Sequence, residues 1–210
     1  MSDIMRLKNT TGAGIKDCKE ALDANGGDFE KAVAFLREKG KASAAKKADR
    51  IAAEGSVGVY SHFGKIGVIV EVNCETDFAA KSEQFQDLVK NIAMQIAASN
   101  PLYLDETEVP TAELEKEREI LRNKAREEKK PDAIIEKMLE GQVKKYYGEI
   151  CLVHQTYVKD PSKTIKDIVT EATATIGEKI AIRRFVRYEL GEGIEKRVEN
   201  FADEVVRLQN

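Results

Sequence analysis

The spacing of apolar residues changes from a strand period to a helix period between positions 66 and 96. Every second residue from Ile66 to Val72 is apolar, which predicts a β-strand with one buried face. Val57 and Val59 precede a turn at residues 62–65, so this strand would be the second of a hairpin. The next apolar positions fall on one face of a helix that ends at Asn100-Pro101: Phe85, Leu88, Val89, Ile92 and Ile96. The chain must therefore pack a hairpin against a helix.

Residues 2–40 predict three short helices, because their apolar residues recur at helical spacing between two breaks. Residues 11–14 suit a tight turn, while residues 25–27 suit the end of a helix and Asp28 suits the cap of the next one. Residues 41–53 are rich in alanine and lysine with few large apolar side chains. They predict a linker that buries little surface.

The rest of the chain mixes helices and strands without the regular alternation of a parallel fold. Residues 111–147 predict an antiparallel helical hairpin, 149–158 a strand, 164–176 a helix and 179–190 a strand. Apolar positions from Ile194 to Val205 predict a final amphipathic helix. The fold class that follows is α+β, with an antiparallel sheet covered by helices on one face.

The composition is typical of a cytoplasmic protein. Charged residues make up 34% of the chain, and no apolar run approaches the roughly 20 residues that span a bilayer. The first eight residues lack the apolar stretch of a secretory signal. Three cysteines without C-x-x-C spacing predict neither a disulfide framework nor a zinc ribbon, so we expect reduced and partly buried thiols.

Motifs for catalysis or for cofactor binding are absent from the sequence. No G-x-x-x-x-G-K-[ST] string exists, and the glycines at 12–14 and 191–193 lack the context of a phosphate-binding loop. The two histidines, His62 and His154, do not have the i, i+4 spacing of a zinc pair. We therefore expect no enzyme, no metal, no cofactor and no direct nucleotide binding.

The charge balance argues against a general nucleic-acid binder. With 34 basic and 37 acidic residues the formal charge is −3, so any basic surface must be local. One basic segment contains Lys39, Lys41, Lys46, Lys47 and Arg50, but no aromatic residue lies within it to stack on bases. A solvated linker is the favoured interpretation, and contact with RNA phosphates is the alternative.

The string Thr76-Asp77-Phe78 lies between the apolar strand and the amphipathic helix, and two interpretations compete. In the structural one, Thr76 caps the helix and Phe78 joins its apolar face near Phe85. In the functional one, a rigid turn presents an acidic and aromatic wedge to a partner, since aromatic residues are efficient interface anchors. The residues alone favour the structural interpretation.

Two strings resemble signatures of the elongation factor Ts family. T-G-A-G-I-K-D-C-K-E-A-L at residues 11–22 is similar to the N-terminal signature, and E-V-N-C-E-T-D-F-A-A-K at residues 71–81 is similar to the second one. Residues 44–50 and G-E-G-I-E-K at 191–196 add agreement far apart in the chain. The resemblance extends over nearly the whole sequence.

The resemblance implies a modular architecture. It implies a ubiquitin-associated-like three-helix module at residues 1–40, a linker at 41–55, and a C-terminal helical module at 191–210. Between them lies a dimerisation-type α+β core at 56–190, with the helical hairpin at about 111–147. Only one hairpin-helix unit is present, as in short family members, whose single-unit core is associated with homodimers and two-to-two complexes.

The resemblance also implies a guanine-nucleotide exchange factor in translation elongation. Such a factor binds elongation factor Tu, with GDP or without nucleotide, and promotes GDP release so that GTP can bind. In the family a Thr-Asp-Phe-Val turn is inserted near the magnesium and phosphate site. The matching residues are Thr76, Asp77, Phe78 and Ala79, of which Ala79 departs from the usual valine.

Further partner contacts are implied at the first loop and at the hairpin. Gly12, Ile15 and Lys16 would dock on the GTPase domain, and His62 matches a hairpin histidine of long family members. Two other classes stay open. An adaptor would bind a partner without altering its nucleotide, and an RNA-binding protein would bind with a steep dependence on salt.

Overall fold

Helices and an antiparallel sheet make up the chain in the computed structural model, which describes residues 2–128 and 130–194. In chain order the helices and strands are α1 (Asp3–Thr11), α2 (Ile15–Ala24), α3 (Phe29–Ala45), β1 (Glu54–His62), β2 (Ile66–Cys74), α4 (Asp77–Ala80), α5 (Glu83–Ser99), α6 (Thr111–Glu127), α7 (Asp132–Ile150), β3 (Thr156–Tyr157), β4 (Asp160–Thr164), α8 (Ile165–Ile176) and β5 (Ala181–Glu189). A 3-10 helix, Leu152–His154, joins α7 to β3. The predicted α+β class is confirmed.

The first three helices pack around a small core of their own, which consists of Leu7, Cys18, Ala21, Leu22, Ala32 and Leu36. Asp28 caps α3 as predicted, because its carboxylate accepts a hydrogen bond from the N–H of Lys31 at 3.1 Å. α3 continues past Gly40 into the predicted linker. Alanine-rich sequence favours helix, and Gly40 packs closely against Ala174 of α8.

The main sheet has the order β1-β2-β5, and both pairs of strands are antiparallel. Apolar residues of β2 at positions 68, 70 and 72 are buried and face the buried side of α5, as their periods predict. Gly58 lets β1 approach the helix, because a Cβ at this position would lie 2.5 Å from Cγ1 of Val89. Helices α4, α5 and α8 thus share one core with one face of the sheet.

The strand predicted at 149–158 is wrong. α7 continues to Ile150, and the N–H of Cys151 still bonds to the carbonyl of Tyr147 at 2.8 Å. Leu152–His154 is a 3-10 helix and only Thr156–Tyr157 is strand. The side chain of buried Gln155 donates to the carbonyls of Ser99 and Glu149. These side-chain hydrogen bonds stabilise the turn, where the predicted strand would have had backbone hydrogen bonds to a neighbouring strand.

The hairpin of α6 and α7 is tied to the core at its base. Glu113 accepts hydrogen bonds from the hydroxyls of Tyr103 at 2.6 Å and Tyr146 at 2.8 Å. Nearer the tip, Arg122 forms an ion pair with Glu136 at 3.2 Å. Of the predicted C-terminal helix, residues 195–210 lie outside the described residues. Within the described part of the chain, no helix has the length and apolarity to cross a bilayer.

Candidate functional site

The turn between β2 and α5 is rigid because its backbone is capped and its inner side is buried. The hydroxyl of Thr76 accepts a hydrogen bond from the N–H of Ala79 at 3.2 Å, so Thr76 caps the short helix α4, whereas α5, the helix for which this cap was predicted, is capped by Ser82. Ala79 and Ala80 are 8% and 5% exposed and belong to the main core. The short helix α4 therefore has a fixed inner face.

Phe78 points away from that core. It is 82% exposed, whereas Phe85 is completely buried, so the interpretation that Phe78 packs near Phe85 is wrong. The reason lies in the length of α4, in which Ala79 and Ala80 fill the inward positions of a helix of four residues. A large aromatic ring on a rigid turn is left in solvent, where it is available to a partner.

The carboxylate of Asp77 stands beside that ring and already has a cationic partner. The ammonium of Lys81 donates to it at 2.7 Å, and this hydrogen bond holds the pKa of the Asp77 carboxyl below its usual value. The side chain of Asp77 is 49% exposed. The turn thus presents an aromatic ring, a carboxylate and an ammonium together.

Three side chains support the turn through contacts that the sequence did not indicate: Arg50, Glu75 and Glu178. Glu178 accepts hydrogen bonds from the backbone and the hydroxyl of Thr76. The N–H of Lys179 donates to Glu75 at 2.6 Å, and this bond together with Arg50 holds the pKa of the Glu75 carboxyl below its usual value. Glu75 and Glu178 belong to segments about a hundred positions apart, so no local pattern could indicate their contact.

The first loop exposes the predicted docking residues. Gly12 ends α1 with φ +68°, a left-handed conformation that favours glycine, and its N–H bonds to the carbonyl of Lys8 at 2.8 Å. Ile15 is 55% exposed and Lys16 is also exposed, at the start of α2. A Cβ on Gly12 would lie 3.6 Å from the side chain of Thr175.

The C-terminal end of α8 brings the first loop and the turn to one region. The side chain of Thr175 lies beside Gly12 of the loop, and Glu178, just beyond the end of α8, binds Thr76. His62 is not part of this region, since it lies at the opposite end of the hairpin, roughly 25 Å along β2 from the turn. There it is exposed and contacts Phe63 edge-on at 4.5 Å between ring centroids.

Among residues 2–128 and 130–194, no group of three histidine, cysteine or acidic side chains is placed to hold a metal ion. Cys18, Cys74 and Cys151 are buried free thiols, and burial raises the pKa of each. His154 lies elsewhere and pairs with Glu106.

Two cations of the basic segment are paired with carboxylates. Lys39 forms ion pairs with Asp17 at 2.9 Å and with Glu20 at 2.8 Å, and Arg50 pairs with Glu75 at 3.3 Å. Partial neutralisation of this kind weakens the attraction to phosphates that counterion release would provide.

Comparisons with known proteins agree with one another. Residues 15–192 match the family described as Elongation factor TS. A curated relative from Geotalea daltonii named elongation factor Ts is 57% identical over 205 residues, which cover 97% of this chain and 95% of the relative. Relatives with the same name from Heliobacterium modesticaldum and Desulfitobacterium hafniense are 56% and 55% identical over 204 and 210 residues. These alignments cover 97% and 100% of this chain and 95% and 97% of the relatives.

Proposed function

The chain belongs to the elongation factor Ts family of translation elongation factors, and from that premise we propose that it is a guanine-nucleotide exchange factor for elongation factor Tu. It binds the GTPase with GDP or without nucleotide and promotes the release of GDP. Thr76, Asp77, Phe78 and Ala79 form the lever that is inserted near the magnesium and phosphate site. Gly12, Ile15 and Lys16 dock on the GTPase domain, with His62 as a separate and distant contact.

One observation carries this proposal: Phe78 is 82% exposed on a turn in which Ala79 and Ala80 are buried and Thr76 caps the backbone. An exposed aromatic side chain contributes a large favourable binding free energy when it enters an apolar pocket of a partner. A rigid support reduces the conformational entropy that is lost on insertion. Because Asp77 and Lys81 are adjacent, the lever carries charge toward the place where magnesium and phosphate charges are held.

Exchange of this kind requires no catalytic group on the factor. A protein that weakens GDP binding by some ratio is itself bound more weakly, by the same ratio, when GDP is present. A weakening of about ten-thousand-fold corresponds to about 5.5 kcal/mol of differential interaction. In this proposal Phe78 acts as the wedge, Asp77 perturbs the surroundings of the metal, and the first loop holds the distorted complex.

The test is stopped-flow release of fluorescent GDP from elongation factor Tu, with and without this protein. We expect acceleration by the wild type and its loss with Phe78→Ala. Leu102→Ala is the matched control, since Leu102 is also apolar, is 59% exposed and follows the end of α5 that is farther from the turn. Acceleration that survives Phe78→Ala would reject the lever. Stable binding without any acceleration would favour an adaptor.

We also propose that a second copy of the chain covers the outer face of the sheet. Val59, Ile69 and Val186 are direct neighbours across the three strands and are 74%, 47% and 37% exposed. Glu71 borders this row and forms ion pairs with Arg183 and Arg184 at 2.8 and 2.7 Å. An apolar centre with a charged rim is typical of an interface, and a two-fold axis lets one patch pair with itself.

The lever and the sheet patch use different sides of the molecule. Ala79 and Ala80 enter the core on the helix-covered side of the sheet, whereas Val59 and Ile69 lie on the other face. A homodimer can therefore bind two GTPases in a two-to-two complex. The same proposal divides the chain into a three-helix module at 1–40, a linker at 41–55, an α+β core at 56–190 and a C-terminal helical module at 191–210.

A further inference from the structure

We infer that Glu178 is a positioning residue for nucleotide exchange, which acts by holding the Thr76–Ala79 turn in the orientation that presents Phe78. This inference rests on the proposed function of that turn. Helix α8 ends at Ile176, two residues before Glu178. Glu178 does not belong to either signature string.

The carboxylate of Glu178 accepts three hydrogen bonds, one from Glu75 and two from Thr76, the first residue of the lever. Its Oε2 accepts from the N–H of Glu75 at 3.1 Å and from the N–H of Thr76 at 3.0 Å. Its Oε1 accepts from the hydroxyl of Thr76 at 2.7 Å. Hydrogen bonds to an ionised acceptor are about twice as strong as neutral ones.

The Thr76 hydroxyl connects Glu178 to the backbone that follows Phe78. It donates to Glu178 and accepts from the N–H of Ala79, so its rotamer is fixed from both sides. The backbone before and after Phe78 is thereby linked to Glu178, directly at the N–H of Thr76 and through the Thr76 hydroxyl at the N–H of Ala79. In the opposite direction, the Glu75 carboxylate accepts from the N–H of Lys179 at 2.6 Å. The two segments are locked by reciprocal bonds.

The same segment also lies beside the first docking loop. Gly12 of the first docking loop lies against Thr175, three positions before Glu178. The end of α8 therefore sets the distance between the loop that docks and the turn that is inserted. Accurate placement of a group is worth large factors in rate, because a small displacement loses the productive geometry.

The experiment compares Glu178→Ala, Glu178→Gln and Phe78→Ala in GDP release from elongation factor Tu, over a range of factor concentrations. We expect Glu178→Ala to lower the maximum release rate about tenfold, with a half-saturating concentration within about threefold of wild type. Glu178→Gln should stay within about threefold of the wild-type rate, since the amide oxygen still accepts from both N–H groups. Glu171→Gln, a carboxylate on α8 bonded to Lys163, is the matched control.

A double-mutant cycle separates positioning from general loosening. If Glu178 acts through Phe78, adding Glu178→Ala to Phe78→Ala should change the rate by less than about twofold. Amide hydrogen exchange at Thr76 and Ala79 should accelerate in Glu178→Ala while the buried amides of α5 stay protected. Glu178→Asp, which shortens the side chain by one methylene, provides the same comparison if the alanine variant does not fold.

The outcomes distinguish the two proposals. A slow Phe78→Ala with an unaffected Glu178→Ala overturns the role of Glu178 and leaves the lever intact. Losses that multiply in the double variant overturn it as well, because they show two independent effects. A Phe78→Ala that releases GDP as fast as wild type rejects the lever itself, and the role of Glu178 falls with it.

Discussion

The ammonium of Lys81 lies 2.7 Å from the carboxylate of Asp77, one helical turn earlier, beside the exposed ring of Phe78. The lever is therefore not simply acidic when it is free in solution. In the proposed exchange complex, we expect the carboxylate to exchange its bond to Lys81 for groups around the bound magnesium ion.

This pair gives a prediction that depends on magnesium. We expect Asp77→Asn to lower the maximum rate of GDP release about tenfold at millimolar magnesium, and far less at micromolar magnesium, where the metal no longer holds GDP. Stopped-flow release at the two magnesium concentrations measures this difference. Asp87→Asn, on the exposed side of α5, is the control. Equal losses at both concentrations would show that Asp77 does not act through the metal.

The close approach of β1 to α5 predicts a stability effect. A Cβ on Gly58 would lie 2.5 Å from Cγ1 of Val89 and 3.3 Å from Cγ1 of Val70. We expect Gly58→Ala to reduce the free energy of unfolding by about 1–3 kcal/mol through overpacking, as measured by urea denaturation. Gly67→Ala in β2 is the matched control, since nothing lies within 4 Å of its Cβ position.

The same contact can be relieved by a second substitution. Val89→Ala removes the methyl that Gly58→Ala would meet, so the double variant should be more stable than the sum of the two single effects predicts. If the losses of unfolding free energy were additive, strand β1 would have to shift as a whole in Gly58→Ala. The contact with Val89 would then not be what limits the size of the side chain at residue 58.

The strand and helix around positions 66–96 could be predicted from the sequence because burial of one face imposes a period on each. The same reasoning failed at Ile150-Cys151-Leu152, since a short apolar run has no period that separates a buried strand from a helix end. The direction of the Phe78 side chain could not be predicted either, because it depends on which residues of a four-residue helix fill the core. The contact of Glu178 with Thr76 joins positions 102 apart, and only the tertiary fold brings them together.

Burial of Cys151 predicts a loss of stability in alkaline solution. Desolvation, reinforced by the nearby Glu106 carboxylate, raises the pKa of this thiol from 9.0 to about 11. The unfolded chain loses its proton first, so the stabilisation is complete below pH 9 and is lost as the pH rises from 9 to about 11.

The slope of stability against pH measures this effect. We expect Cys151→Ala to flatten the decline of the unfolding free energy between pH 9 and 11, where one proton contributes at most about 1.4 kcal/mol per pH unit. The value at pH 7 serves as the reference, since any packing loss from the substitution is the same at each pH. An unchanged slope would show that Cys151 ionises equally in both states.

The outer face of the sheet gives a prediction about assembly that is independent of the lever. Ile69 lies at the centre of the apolar row, between Val59 and Val186, so Ile69→Lys would bury an unpaired ammonium in the proposed dimer. We expect this variant to sediment as a monomer at concentrations where wild type is a dimer. Ile120→Lys, at a 52% exposed position on α6, should leave the dimer unchanged.

GDP release by the monomeric variant then tests whether the lever works independently of the dimer interface on the sheet. Because the lever lies on the helix-covered side, Ile69→Lys should retain the wild-type maximum rate of GDP release per chain, while its complex with elongation factor Tu falls to one copy of each. A dimer that persists despite Ile69→Lys would move the interface away from this sheet face. A monomer that no longer releases GDP would mean that the partner GTPase itself contacts the sheet.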